Sequence, residues 1–419
     1  MKSTLFFCLF LTLILGARAE DMVPEKSATR WTGFRGNHGN SHTTAINLPR
    51  TWSETENIAW TIDLPGYGQS SPVVWDGKIF VTASEGPMKE TLIVLCIEVG
   101  SGEVLWTKRF EASHKTERTD MISQAAPTPA VDAQHLYAFF ENGDIFALNH
   151  QGETQWHRSL AKEYGELIGN HGISSSIAQT ENAVILLIDH AGPSYLLSIN
   201  KTDGTNFWKR DREKRVSWTS PVISAFADAT EILISSNGIA EAYNAENGER
   251  HWYVDGIQKN TVPSPTVTDE WVIVGSSQKG ETLAIARGGT GDVTETHTRW
   301  KADVASSFGS PLIHNDSVYV VNKAGALSCL NLETGSVLWT TRIGSSTWAS
   351  PIVTGDMLYF FGKDGDTSVI QIASEQRTEV PPTVSINTLA TESRVYGVAA
   401  INGAFLIRTG RKLICVGQP

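Results

Sequence analysis

The chain has 419 residues, 41% of them hydrophobic, with 45 acidic against 34 basic side chains and a formal net charge of −11. This acidic balance excludes nucleic acid as the main partner, because nucleic-acid surfaces carry a basic excess, and it disfavours an anionic membrane face for the same reason. Beyond the N-terminal segment no stretch stays apolar for about 20 residues, the length a spanning helix needs, so no membrane span is expected.

Lys2 opens the chain with a positive charge, Leu5–Leu15 is an apolar run of 11 residues, and Ala17-Arg18-Ala19 forms an A-x-A site. Together these read as a secretory signal peptide over residues 1–19, which makes the product exported, periplasmic or extracellular. Cys8 lies inside the apolar run behind bulky Phe7, so a lipoprotein anchor is not expected. Cleavage removes Lys2 and Arg18, leaving 32 basic residues against 45 acidic ones, or −13. Residues 20–54 read as an N-terminal arm that packs on a single domain spanning 55–419.

The domain opens on a lone strand, Glu56–Asp63, which contains Trp60. A complete repeat follows. Ser71-Pro72-Val73-Val74 leads into the turn Asp76-Gly77. Lys78–Val81 and Leu92–Ile97 are strands, Gly100-Ser101-Gly102 is a turn, and Glu103–Trp106 is a last strand. Short β-branched and aromatic runs split by Gly, Asp and Pro are hairpin signals. Their continuous rather than alternating apolar character suits strands covered on both faces.

The Ser-Pro element returns at Ser220-Pro221, Ser264-Pro265, Ser310-Pro311 and Ser350-Pro351, with Thr128-Pro129 and Ser175-Ser176 as degenerate copies. Proline cannot donate to a ladder, so each copy marks the start of an inner strand. The end of the repeat also recurs. Gly102/Trp106, Gly152/Trp156, Gly204/Trp208, Gly248/Trp252 and Gly335/Trp339 each place glycine four residues before tryptophan. With Trp60 and Trp300 the series has intervals of 39 to 52 residues, a period that signals a repeat architecture. The glycine supports a turn with positive φ. The tryptophan then lies flat between neighbouring sheets, a burial that contributes on the order of 2–3 kcal/mol.

Val398–Gly403, Ala404–Ile407 and Leu413–Val416 form an eighth copy that lacks its own glycine-tryptophan strand, and Glu56–Asp63 is the spare that completes it. The expected fold is therefore all-β: a single eight-bladed β-propeller of four-stranded antiparallel blades, its ring closed by the N-terminal strand. Seven blades is the alternative if residues 380–400 are irregular. Cys96, Cys329 and Cys415 occupy one repeat position in different blades. Packed sheets lie about 10 Å apart and a disulfide needs Cα atoms within about 7 Å, so all three are expected to be buried free thiols. The basic run Lys209–Arg215 is broken by acids and reads as a solvated loop.

These repeats resemble the pyrroloquinoline-quinone-type repeat propellers of bacteria, whose blade motif is A-x-D-x-x-T-G-x-x-x-W. Cys329–Trp339 and Ala242–Trp252 carry that pattern, Ser198–Trp208 and Cys96–Trp106 fit it, and Ala147–Trp156 is one residue short. In the fifth repeat Arg287–Val293 replaces it and Trp300 comes late. Trp31-Thr32-Gly33-Phe34-Arg35-Gly36 looks like the N-terminal arm of secreted members of the family. The resemblance implies the propeller fold across nearly the whole mature chain. Its implications for function divide. Some members are dehydrogenases that hold the quinone over the ring axis with calcium; another is the scaffold lipoprotein of the outer-membrane assembly machine, which holds no cofactor.

The chain lacks the adjacent cysteine pair of the quinone enzymes, and it has no C-x-x-C-H. It also lacks G-x-S-x-G, H-E-x-x-H and G-x-x-x-x-G-K-[ST]. Its histidines are scattered without ligand spacing, and Asp364-Gly365-Asp366 reads as a hairpin turn rather than a calcium loop. Gly36-Asn37-His38-Gly39 recurs as Gly169-Asn170-His171-Gly172 without a physical reason visible in the sequence.

The expected function is a secreted, non-catalytic, monomeric scaffold that presents a loop face to a protein or cell-envelope partner. No catalytic residue, metal or cofactor is assigned. An oxidoreductase using pyrroloquinoline quinone with calcium is the alternative. A second alternative is a small-molecule or glycan site at the axial rim. Two residues before the Ser-Pro element stand Gln69, Ala126, Ile173, Trp218, Val262, Phe308 and Trp348. From this set Gln69, Trp218, Phe308 and Trp348, with Gln124 and His171 nearby, form the candidate rim site.

Overall fold

The computed structural model describes residues 28–117, 119, 123–277, 280–306, 308–372 and 381–419. The signal segment 1–19 lies outside the described residues. Eight antiparallel four-stranded sheets succeed one another along the chain, one of them with a short extra strand. The first blade is Val73–Trp75, Lys78–Glu85, Thr91–Glu98 and Val104–Glu111, hydrogen-bonded in chain order from the axis outward. The last blade takes three strands from the C-terminus, Gly397–Ile401, Ala404–Arg408 and Lys412–Gly417, and its fourth from the start of the domain. There Ile58–Asp63 pairs antiparallel with Lys412–Gly417, Thr61 opposite Ile414. Residues 384–401 supply the outer strand of the seventh blade, Val384–Thr388, and the inner strand of the eighth. The count is eight.

Among the described residues, glycine-tryptophan contacts bridge five of the eight blade junctions. Gly102 has φ +75°, and a Cβ on it would stand 2.8 Å from the indole of Trp60 in the preceding blade. The same crowding sets Gly152 against Trp106, Gly204 against Trp156, Gly248 against Trp208 and Gly335 against Trp300. Each indole also donates across the gap. Trp60 bonds Val99 O (2.9 Å), Trp156 bonds Lys201 O (2.9 Å) and Trp300 bonds Leu332 O (2.8 Å). The fifth blade explains why the junction with the fourth lacks the contact. Residues 287–297 replace its turn, and Gly291–Asp292 adds a short parallel strand beside Arg250–Val254. Trp252 therefore has no such glycine to cover, and its buried Nε1 is left without a hydrogen-bond partner.

The Ser-Pro hydroxyls form a second set of inter-blade links at the axis. Ser71 N donates to Thr128 Oγ1 (3.1 Å), Thr128 N to Ser176 Oγ (3.0 Å), Ser176 N to Ser220 Oγ (2.9 Å) and Ser220 N to Ser264 Oγ (2.8 Å). Ser264 N then reaches Ser310 Oγ (3.0 Å), and Ser310 N reaches Ser350 Oγ (3.4 Å). The third-blade member is Ser176, not Ser175, so the alignment that placed Ile173 two residues ahead of it is off by one. Gly397 stands in register with these serines in the last blade, where a Cβ would collide with Ser71 Oγ at 2.1 Å.

Cys96, Cys329 and Cys415 are buried free thiols, and burial pushes the Cys96 and Cys415 thiols up to about 12. The basic run is not a solvated loop. Asn206–Arg212 is an outer strand, and Arg212 turns inward to Asp189 (3.1 Å) and Glu241 (2.7 Å). Two carboxylates in one inter-blade seam hold that arginine in the core.

Residues 28–46 run across one end of the ring and touch all eight blades. Trp31 exchanges both backbone hydrogen bonds with Val74 of the first blade (3.0 and 2.8 Å). Thr32 O accepts from Val131 N (2.9 Å) and Gln179 Nε2 (3.2 Å). Gly39 passes so close to Val222 that a Cβ would touch it. Arg35 bonds Pro265 O (2.8 Å), Thr266 Oγ1 (2.7 Å) and Pro311 O (3.3 Å). His42 donates to Ile313 O (2.7 Å), Thr43 N to Val353 O (3.0 Å) and Gly403 N to Ile46 O (2.9 Å).

Candidate functional site at the axial rim

The inner strands begin at one mouth of the central channel and run toward the arm at the other. The six candidate residues all lie at the first mouth, but as three pairs rather than one cluster. Phe308 and Trp348, from the sixth and seventh blades, have ring centroids 4.5 Å apart. His171 and Trp218 are 5.6 Å apart, and the Trp218 indole donates to Gly172 O (2.9 Å). Gln69 Oε1 accepts from Gln124 N (2.9 Å). Gln124 is buried and its own Oε1 has no partner. The other five candidates are half-buried.

The first pair extends into an arc that the sequence reading missed. Trp348 meets Tyr396 edge-on at 5.7 Å, and Tyr396 meets Tyr67 at 6.2 Å with their hydroxyls 2.7 Å apart. Burial, then the hydrogen bond to Tyr396, raises the Tyr67 pKa, so the phenol stays neutral. The arc thus spans four consecutive blades around the ring closure. A signal existed for Tyr396: it precedes Gly397, the eighth member of the serine register.

Cations flank three of the four rings. Lys323 Nζ lies 5.8 Å from the Phe308 centroid, the Arg394 guanidinium 4.8 Å from Trp348, and that of Arg411 5.9 Å from Tyr67. Beneath the arc lies Arg408, fully buried. It bonds only carbonyls, those of Thr409 (2.8 Å), Gly68 (3.3 Å), Thr82 (3.3 Å) and Gly410 (3.5 Å), and its Nη1 has no partner. Desolvation pushes it down to about 9, which still leaves it charged at neutral pH.

The opposite mouth is closed. Arg35 is 3% exposed, satisfied by the oxygens named above, and pushed down to about 9 by burial. Beside it a polar cleft of about 450 Å³ runs between the arm and the fourth to sixth blades, lined by His38, His42, Val222, Thr266 and Ile313. Burial first, opposed by the bond to Ile313, lowers the His42 pKa, so the ring is neutral there. The repeated Gly-Asn-His-Gly sequence puts His38 at this end and His171 at the other, so the two copies share no site.

Calcium needs six to eight oxygen ligands, and the rim does not fit it. The Gln69 amide oxygen is already bonded, and Glu392 accepts from Thr409 Oγ1 (2.6 Å) and Arg411 N (3.1 Å). Among the described residues no group of three or more His, Cys, Asp or Glu could hold a metal. The thiols lie inside the blades, away from the rim. Among the described residues of the rim, no donor set matches the calcium-held quinone of the dehydrogenases.

Eight blades of this repeat, stapled by glycine and tryptophan, define the class: a pyrroloquinoline-quinone-type repeat β-propeller. The profile of the family described as outer membrane protein assembly factor BamB matches residues 51–170 and 170–380. The chain belongs to that family. It is 23% identical over 285 residues to outer membrane protein assembly factor BamB of Shewanella oneidensis, a match covering 67% of this chain and 65% of that protein. It is 25% identical over 245 residues to the tetrathionate hydrolase of Acidithiobacillus ferrooxidans, covering 53% of this chain and 45% of the relative. The chain thus spans less than two thirds of the length of either.

Among solved structures, BamB from Moraxella catarrhalis superposes with a TM-score of 0.62 at 14% identity, over 86% of this chain and 99% of that one. A europium-containing methanol dehydrogenase gives 0.69 at 10% identity, over 92% of this chain and 91% of that one. At these identities the likeness concerns the fold alone. No helix among the described residues is long and apolar enough to cross a membrane.

Proposed function

We propose that this protein is an exported, monomeric scaffold of the cell envelope that docks a protein partner on its axial rim. The observation that carries the reading is the asymmetry of the channel. One mouth is filled by the chain's own arm, with Arg35 bonded to the fifth and sixth blades. The other presents a half-buried aromatic arc with cations over its rings. Aromatic and arginine side chains are the groups most enriched at protein interfaces. Membership of a family described by an assembly factor supports the same reading, as does the use of nearly every recurring residue in blade structure.

Site-specific photocrosslinking in the source cells tests it. A photoreactive residue at Lys323 or Arg394 is expected to capture one discrete envelope protein, and one at Asn315 on the arm side is expected to capture none. Equal capture from both ends, or none from the rim, sinks the proposal.

A further inference from the structure

We propose that the segment docked at the rim is an acidic, aromatic-bearing stretch of extended polypeptide, seated along the arc from Phe308 to Tyr67. The inference rests on the rim-docking reading and adds the chemistry of the partner.

Charge carries the first part of the argument. The mature chain is acidic, yet this sector of the rim is basic. Lys323, Arg394 and Arg411 are exposed, and none of them forms a salt bridge among the described residues. Arg408 adds a buried positive charge whose hydrogen bonds all go to carbonyls, with Glu392 acting on it only through space. Two carboxylates of the same sector are held by their own neighbours. Glu392 is bonded to Thr409 and Arg411 N, and Asp366 accepts from Ser345 N (2.8 Å) and Ser345 Oγ (2.5 Å). Lys363 is already paired with Asp364. The potential left over the arc is positive, and complementary charge is what selects and orients a partner.

Shape carries the second part. The rings of Phe308, Trp348, Tyr396 and Tyr67 follow one another at 4.5, 5.7 and 6.2 Å. That is a curved track across four blades rather than a single pocket. A track of rings with cations seated over three of them suits a chain whose side chains alternate apolar and acidic, as they do on the two sides of an extended strand. Past Tyr67 the track stops among the described residues: the adjoining Gln69 and Gln124 bond each other, and further round the Trp218 indole is committed to Gly172 O.

The test uses the full mature protein and fluorescence anisotropy with two labelled probes: a short peptide alternating glutamate and phenylalanine, and its lysine-phenylalanine counterpart. The acidic peptide should bind at least about tenfold more tightly than the basic one and weaken as salt rises. The double charge reversal Lys323→Glu/Arg394→Glu should reduce its affinity roughly ten- to a hundredfold. Lys301→Glu, on an outer strand of the fifth blade, should leave it unchanged. Both reversals are at exposed positions, and an unaltered melting curve checks that the variants fold.

Equal binding of the two peptides, or an affinity untouched by the double reversal, overturns the acidic assignment. Rim docking itself survives those results if Trp348→Ala still abolishes binding. Indifference to both Trp348→Ala and the double reversal overturns the two proposals together. Binding of a small planar tricarboxylate, with neither peptide bound, also overturns the inference and gives the rim a small-molecule ligand instead.

Discussion

The two mouths of the channel are built from similar residues put to opposite use. Each has an arginine removed from water without a carboxylate partner, Arg35 at one end and Arg408 at the other. At the arm end the polar groups are spent inward. Backbone pairs join the arm to the first and seventh blades, and Arg35 reaches across the fifth and sixth. At the rim end the aromatic rings stay half-buried and their cations form no salt bridge among the described residues. Repetition makes the blades nearly equivalent, so asymmetry has to come from what the chain adds at each end. In this propeller the arm closes one mouth and leaves the other as the open end.

That contrast can be broken by measurement. The wall of the ring sets the scale. Trp156→Ala removes an indole packed on Gly204 and bonded to Lys201 O, and should cost about 3–5 kcal/mol in urea unfolding. Arg35→Met should cost about 2–4 kcal/mol by the same assay, since Pro265 O and Pro311 O lose their donor in a buried site. A loss under about 1 kcal/mol would mean that the arm is not what closes that mouth.

An acid titration sharpens the comparison between wall and rim. Burial alone would raise the Glu241 pKa, but the charge of Arg212 and bonds from Arg250 and Tyr243 hold it below the usual carboxylate range. A depressed folded pKa gives stability that is fully present above the unfolded value of about 4.3 and is lost as pH falls through the folded one. Wild type should therefore exceed Glu241→Gln by about 3–5 kcal/mol at neutral pH. The gap should close only in strong acid. A gap that is constant with pH would show that the carboxylate's charge is not what stabilises the seam.

Smaller effects come last. Ser264→Ala removes the acceptor for Ser220 N and should cost about 1 kcal/mol. Trp348→Ala should cost no more than that, because the ring is only half-buried, while abolishing rim binding. If Trp348→Ala destabilised the fold as much as Trp156→Ala, the rim would be part of the wall and not a working face.

The blade count, the ring closure and the inter-blade place of most repeat tryptophans were legible in the sequence because they depend on local patterns that repeat. Gly102 must be glycine for a reason stated four residues away from Trp106, even though the clash it avoids is with Trp60. What repetition did not encode was less legible. Arg35 finds its acceptors 230 residues further on, and nothing near Trp31–Gly36 announces them. Arg212 looked solvated because charges surround it in sequence, while Asp189 and Glu241 approach it only in the folded seam. The rim was half legible. Phe308 and Trp348 were found together from their shared offset, but Tyr396 and Tyr67 escaped because they stand one and four residues before their register members Gly397 and Ser71, not two. The offset also grouped Gln69 and Trp218 with the arc, although the fold gives each a different neighbour.

The clasp between Ile58–Asp63 and Lys412–Gly417 has a consequence for how the molecule is made. The strand delivered first finds its place last, once the final residues have arrived. Until then the eighth blade has an open edge and the first has a bare flank where Trp60 should cover Gly102. A chain cut short anywhere before residue 412 can build blades but cannot lock them into a circle. It should stay open to the proteases of its compartment, so that completeness of synthesis is inspected by the fold itself.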